Sequence, residues 1–138
     1  MKIAIVNGPN LNLVGKREKS IYGAESLDKY LADLKTNSSN EISIFQSNIE
    51  GELINFLQTT QVDGIILNAG GYTHTSVALR DCVAAISIPV IEVHITNITA
   101  REEFRHTSLL SAVCVGCIFG FGVESYRLAI NYFTNIKF

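Results

Sequence analysis

The chain has 138 residues, a length that argues for one domain with enough chain to bury a core. Hydrophobic residues are 47% of it and charged residues 17%, which excludes a disordered chain and suggests that partners cover some apolar surface. A net charge of −2 excludes a chain built as a whole to bind nucleic acid or an anionic membrane.

The first apolar run, Met1 to Val6, carries one lysine and stops at Asn7-Gly8-Pro9, too short for a signal peptide or a membrane span. The chain therefore reads as soluble and cytoplasmic. Lys2 to Val6 reads as a first buried strand, broken by Asn7-Gly8-Pro9-Asn10. Leu11 to Gly23 has no clear period and carries Lys16, Arg17, Glu18, Lys19 and Tyr22, which makes a candidate mobile lid at about residues 13–23. Leu27, Tyr30, Leu31 and Leu34 mark an amphipathic helix with Ser26 as its cap. After a polar loop, Ile42, Ile44 and Phe45 suggest the second strand. Ser47 with Glu50 suggests a capping box for a helix bearing Ile49, Leu53, Phe56 and Leu57.

Gly64 to Leu67 is the third strand, and Asn68 stands where its apolar run stops. Gly70 and Gly71 permit a tight path, and Thr73 or Thr75 can cap a helix whose stripe is Leu79, Cys82, Val83 and Ile86. Ile88 to His94 is the fourth strand, begun by Pro89. The charged stretch Ala100 to His106 reads as a short helix, and Ala112 to Phe119 as the fifth strand. Val123, Tyr126, Leu128, Ile130 and Phe133 mark a closing helix. With no repeat or linker, residues 1–138 read as a single domain.

Strands alternating with helices imply an α/β fold with helices on both faces of a parallel sheet. For five units the expected architecture is a flavodoxin-like five-stranded parallel sheet of order 2-1-3-4-5. That order brings Asn10, Asn68 and His94 together at the carboxyl ends of strands one, three and four, where open parallel sheets bind ligands.

Glu92 and His94 are two residues apart and share a strand face, so the carboxylate can orient the imidazole and favour its charged form, as a general acid needs. A lone histidine at a strand end can also be merely hydrogen-bonded; the Glu92 partner and the location favour the acid. Tyr22 is a poor base unless a cation such as Arg17, Arg101 or Arg105 favours its phenolate. On spacing alone, Tyr22 reads as a loop anchor and Arg17 as solvated. His74 and Asp81, seven apart on one helix, are separated by about 10 Å. Either one lies on the surface or Asp81 serves a neighbouring subunit. Arg101 or Arg105 could bind an anion, and the amides of Ile95 and Thr96 could cradle a carboxylate. No metal is expected, since the three histidines have no close pairing and no cysteine near them in sequence. The first turn lacks a GxGxxG or P-loop pattern, so no nucleotide cofactor is expected and a flavin-binding module lacks its phosphate cradle. Cys114 and Cys117, three apart on a strand, face opposite sides and read with Cys82 as packed thiols.

Six stretches together closely resemble type II 3-dehydroquinate dehydratase: Asn7-Gly-Pro-Asn-Leu-Asn; Gly15-Lys-Arg-Glu with Tyr22-Gly23; Gln46-Ser-Asn-Ile-Glu-Gly-Glu; Leu67 to Asp81; Ile91-Glu-Val-His; and Arg101-Glu-Glu-Phe-Arg-His. The resemblance implies a hydro-lyase of the shikimate (aromatic amino acid) or quinate pathway. It would remove water in an anti sense from 3-dehydroquinate to give 3-dehydroshikimate through an enolate, with no metal, cofactor or Schiff base. It implies Tyr22 as the base, Arg17 with help from Arg101 holding the phenolate, Asn10 stabilising the enolate by way of a water, and His94, held by Glu92, as the acid. Asn68, His74 and Arg105 would bind ring hydroxyls, and the amides of Ile95 and Thr96 the carboxylate. It also implies trimers assembling into a dodecamer, with Asp81 reaching an adjacent site. Two positions depart from the family pattern: Thr96 where serine is usual, and Lys19 where a loop-stiffening proline is common.

Overall fold

The computed structural model describes residues 1–15 and 26–136. Five strands, β1 (Lys2–Asn7), β2 (Glu41–Gln46), β3 (Gly64–Asn68), β4 (Val90–His94) and β5 (Gly116–Phe119), form one sheet. All pairings are parallel and the order is β2-β1-β3-β4-β5, the flavodoxin-like order expected. Four α-helices accompany it among the described residues: α1 (Leu27–Asn37), α2 (Glu50–Thr59), α3 (Val77–Ala85) and α4 (Glu124–Asn135).

Strand alternation divides the core in two. Ile3 and Ile5 of β1 pack with Leu27 and Leu31 of α1 and with Tyr126, Ala129, Ile130 and Phe133 of α4. Ala4 and Val6 face the other way, onto Leu53 and Leu57 of α2 and Leu79, Cys82 and Val83 of α3. The central strands are covered on both faces, which is why they read as unbroken apolar runs. Each fully buried Ile or Leu contributes about 1.5–3 kcal/mol relative to leaving it exposed. In α4 the stripe is Tyr126, Ala129, Ile130 and Phe133; Leu128 falls off it and is exposed.

Several local expectations are corrected. Ser76 caps α3, accepting from the Leu79 amide at 2.9 Å, while Thr73 lies in the preceding 3-10 turn Gly70–His74 and Thr75 just after it. Ser47 bonds to Glu52 rather than Glu50, because Ser47 sits two residues before the helix cap at Ile49. Ser26 occupies the cap of α1 without a side-chain cap bond. The β4–β5 connection holds 3-10 turns, Ile98–Ala100, Glu103–Arg105 and Ser111–Val113, instead of the short helix expected near 100–106. Glu103–Arg105 buries no residue, so there is no apolar stripe to dock a longer helix. β5 starts at Gly116 rather than Ala112, because the 3-10 turn Ser111–Val113 occupies that stretch, and β4 starts at Val90, just after Pro89, rather than at Ile88. Arg17, Tyr22 and most of the expected lid lie outside the described residues. Among those described, no helix is long and apolar enough to cross a membrane.

Candidate active site

The carboxyl ends of β1, β3 and β4 open on a cavity of about 260 Å³. Parallel register sets its floor: Asn7 lies opposite Asn68, and β4 follows on the far side of β3. The first turn is pressed against the third strand, because the Gly8 amide donates to the Asn68 carbonyl at 2.7 Å. A β-carbon on Gly8 would stand 2.4 Å from the Ala69 carbonyl oxygen, so only glycine fits. Asn10 takes a left-handed conformation at φ 70°, which asparagine tolerates, and its amide is held by Asn48 Oδ1 at 3.0 Å. The stretch Gln46-Ser47-Asn48 thus braces the first turn: Gln46 Nε2 also donates to the Gly8 carbonyl at 3.2 Å, and the Ser47 amide to the Asn7 carbonyl at 3.1 Å.

On β4, His94 is 5% exposed and Glu92 wholly buried. Their contact, Nε2 to Oε1, is 2.6 Å. Ser108 Oγ donates to the same Oε1 at 2.7 Å, and Ser111 Oγ donates to Oε2. Burial is the largest single influence on Glu92 and opposes its charge. The hydrogen bonds from His94, Ser111 and Ser108, with the histidine's charge, together outweigh burial and hold the carboxyl below its usual range.

His74 closes the 3-10 turn after β3, with Nδ1 against the Thr107 carbonyl at 2.8 Å and its ring 6.3 Å from that of His94. Asn68 is pinned twice: its Nδ2 donates to Tyr126 Oη at 2.8 Å, and its Oδ1 accepts from the Gly70 amide at 3.2 Å. Tyr126 Oη passes its own hydrogen to Asn7 Oδ1 at 2.8 Å. Burial pushes the Tyr126 phenol up, against its bonds to Asn68 and Asn7, so it stays neutral and structural. Arg105 Nε is 2.7 Å from Glu102 Oε2, Arg101 Nε is 3.8 Å from it, and Arg101 Nη1 is 3.5 Å from Thr96 Oγ1. The described lining side chains therefore carry two guanidiniums to one carboxylate, a balance that suits an anionic ligand.

Asn10, Asn68, His74, His94, Ile95, Thr96, Arg101 and Arg105 all line this cavity. Glu92 stands behind His94 without reaching it. Arg17 and Tyr22 lie outside the described residues. Asp81 is not brought to the cavity: its carboxylate is 71% exposed and 3.9 Å from Arg80. Nor do His74 and Asp81 share a helix, because α3 begins only at Val77, after the turn that holds His74.

Tyr126, Ser108 and Ser111 were missed, since nothing local in sequence marks a tyrosine in an apolar stripe or a serine in a polar loop. The apparent isolation of the histidines from each other and from cysteine is also corrected. Glu92 lies opposite Cys117 in the β4–β5 ladder, and ligand atoms of Glu92, His94 and Cys117 fall within 4.8 Å of one another. Those atoms are already engaged. His94 holds Glu92, Glu92 also accepts from the serines, and the Cys117 thiol bonds with Ser111 and Glu92. The arrangement is that of a packed polar network rather than an open ligand set. Burial, with the nearby Glu92 charge, pushes Cys114 and Cys117 up to about 12, so both stay as thiols. Cys114 precedes β5 rather than sharing a strand with Cys117.

The family model described as dehydroquinase class II matches residues 1–134. The 3-dehydroquinate dehydratase of Fusobacterium nucleatum subsp. nucleatum is 52% identical over 140 residues, covering 96% of this chain and 95% of its own. That of Prochlorococcus marinus is 50% identical over 136 residues, covering 95% and 94%. The crystal structure of type II dehydroquinase from Butyrivibrio crossotus superposes with a TM-score of 0.92 at 44% identity, over 98% of each chain. In sequence and fold alike, over nearly its whole length, the chain belongs to the class II dehydroquinase family.

Proposed function

We propose that this chain is a 3-dehydroquinate dehydratase, removing water from 3-dehydroquinate to give 3-dehydroshikimate. The observation that carries the reading is the buried Glu92–His94 pair at the edge of a polar cavity that also holds Asn10, Asn68, His74, Arg101 and Arg105. Family membership and the names of close relatives support it.

Tyr22, as phenolate beside Arg17, takes the proton from the carbon next to the ketone, and the electron pair moves into the carbonyl to form an enolate. Asn10, through a water, stabilises the enolate oxygen, and Arg101 helps to hold the phenolate. The enolate then collapses, the bond to the leaving hydroxyl breaks on the opposite face, and His94 supplies the proton that turns it into water. Each positioned acid or base lowers the barrier by roughly a hundred- to ten-thousandfold in rate. Asn68, His74 and Arg105 bind ring hydroxyls, and the amides of Ile95 and Thr96 receive the carboxylate. A lid at about residues 13–23 closes over the substrate and brings Arg17 and Tyr22 into place. The enzyme works in the cytoplasm as trimers assembled into a dodecamer, in which Asp81, exposed in the single chain, reaches a neighbouring site. Light scattering that gives a monomer mass overturns the assembly.

The direct test is incubation with 3-dehydroquinate while following the enone absorbance of the product. Turnover is expected, and its absence with pure substrate at neutral pH overturns the reading. Tyr22→Phe abolishes activity and keeps the fold; a fully active Arg17→Ala protein refutes the arginine's role.

A further inference from the structure

The β4–β5 connection does more than carry Arg101 and Arg105 to the cavity. Its segment from Thr107 to Ser111 touches the settings of both cavity histidines. The Thr107 carbonyl takes Nδ1 of His74, and the hydroxyls of Ser108 and Ser111 converge on Glu92. The segment is itself anchored: Leu110 is wholly buried, and the Leu109 amide donates to the Thr73 carbonyl at 2.9 Å.

Ser108 has one hydrogen and two lone pairs to place. Its oxygen accepts from the amides of Leu110 and Ser111, each at 3.1 Å. Amides can only donate, so both lone pairs are committed. The remaining hydrogen goes to Glu92 Oε1. Ser111 donates to the other carboxylate oxygen. A carboxylate that receives hydroxyl hydrogens on both oxygens is favoured over the neutral acid, whose hydroxyl oxygen is a poor acceptor. An ionised Glu92 has no hydrogen to give, so the proton in its 2.6 Å contact with His94 belongs to Nε2.

We propose that Ser108, with Ser111, is a positioning residue that locks Glu92 as an acceptor, keeps Nε2 of His94 permanently protonated, and so assigns Nδ1 as the nitrogen that delivers the acid proton. This rests on the dehydratase reading. In the elimination the Nδ1–H bond breaks as the leaving hydroxyl gains that hydrogen and its carbon–oxygen bond breaks, and His94 is left as the neutral Nε2–H tautomer. Tyr22 meanwhile has gained one proton from carbon, so exchange with water resets both groups with no net change.

The groups facing this pair are few among the described residues. Glu92 meets His94 on its own strand, Cys117 on β5, Cys114 before it, and the two serines; its partner on β3 is the apolar Leu67. His94 also faces His74, with Arg101, Arg105 and Glu102 lining the same cavity. Both thiols stay neutral, so the Cys117 S–H bonded to Glu92 is a weak donor beside the stronger serine hydroxyls.

The test is magic-angle-spinning nitrogen NMR of histidine-labelled protein, which does not depend on assembly size, with His94→Ala used to assign the ring signals. Wild-type His94 in its neutral form is expected as the Nε2–H tautomer; the Nδ1–H tautomer overturns the proposal. In Ser108→Ala, kcat should fall roughly ten- to a hundredfold, the worth of one hydrogen bond to a charged group. KM should stay near the wild-type value. The acidic limb of the kcat profile should move to higher pH, because Glu92 now protonates sooner, and the tautomer signals should mix. Ser108→Thr should restore all three. An unchanged kcat, limb and tautomer in Ser108→Ala overturns the proposal. If that variant fails to fold, Ser111→Ala is read against the same outcomes. Absence of turnover in the wild type defeats the dehydratase reading instead, while the tautomer is still read directly.

Discussion

The two ends of the sheet differ in a way that volume alone gets backwards. At the amino ends of the strands a hollow of about 1010 Å³ is lined by Lys2, Glu41, Gln58, Asp63 and their neighbours, with no histidine, arginine or cysteine. Its polar groups lie near water and pair simply: the Lys2 amide to Asp63 Oδ2 at 2.6 Å, and the Asp63 amide to the Lys2 carbonyl at 2.8 Å. At the carboxyl ends the cavity is only about 260 Å³. Yet Asn7, Asn68, Glu92 and His94 are all buried around it, each held by named partners. Space measures where atoms are missing. Chemistry needs polar groups stripped of water and fixed in direction, which is costly to build and therefore informative where it occurs.

The strongest way to break this contrast is to remove the acid. His94→Ala should lower kcat on 3-dehydroquinate by about a hundred- to ten-thousandfold while circular dichroism stays native. A loss of less than tenfold would show that the cavity's most desolvated pair is only structural. Tyr126→Phe comes next. It keeps the ring that fills the core but deletes the hydroxyl between Asn68 and Asn7, leaving a buried donor and a buried acceptor unmatched. Stability in urea should drop by about 1–3 kcal/mol. KM should rise more than kcat falls, because Asn68 loses the contact that aims its amide. An unchanged midpoint and KM would mean that a water replaces the hydroxyl without penalty.

A subtler test uses pH. The folded protein holds the Glu92 carboxyl below its ordinary value of 4.5. Its contribution to stability is therefore complete above that value, and it is lost as pH falls through the lower folded one. Glu92→Gln removes this dependence. Urea midpoints measured from neutral pH downward should fall less steeply for the variant in the acid range. Parallel curves would show that the serines and His94 do not favour the charged form.

Much of the fold was legible because it depends on local periodicity. Apolar runs between glycines gave the strands, and the parallel order followed from their alternation with helices. Of the cavity, Asn10, Asn68 and His94 could be read because they sit where strands end. Glu92 could be read because side chains two apart share a face. Ser108, Ser111 and Tyr126 could not. Their partners are 16, 19 and up to 119 residues away, so their roles exist only once the chain has folded. The charged run Ala100 to His106 reads as a short helix but folds as 3-10 turns, because such a run carries no signal for where its backbone turns. Helical spacing likewise put His74 and Asp81 on one face, whereas the turn at Gly70–His74 separates them.

The smallest expected effect is the sharpest control. Asp63→Asn at the amino end keeps an oxygen for the Lys2 amide and removes one charge from an exposed side chain. Urea stability should change by no more than about 0.5 kcal/mol, the usual range for surface substitutions. The value of kcat/KM on 3-dehydroquinate should be that of the wild type. Lys2 and Asp63 nonetheless sit at the start of β1 and just before β3, the strands whose far ends carry Asn7 and Asn68. A tenfold loss of kcat/KM with stability intact would therefore mean that the strands transmit a change from one end to the other. In that case the two ends could no longer be treated as independent.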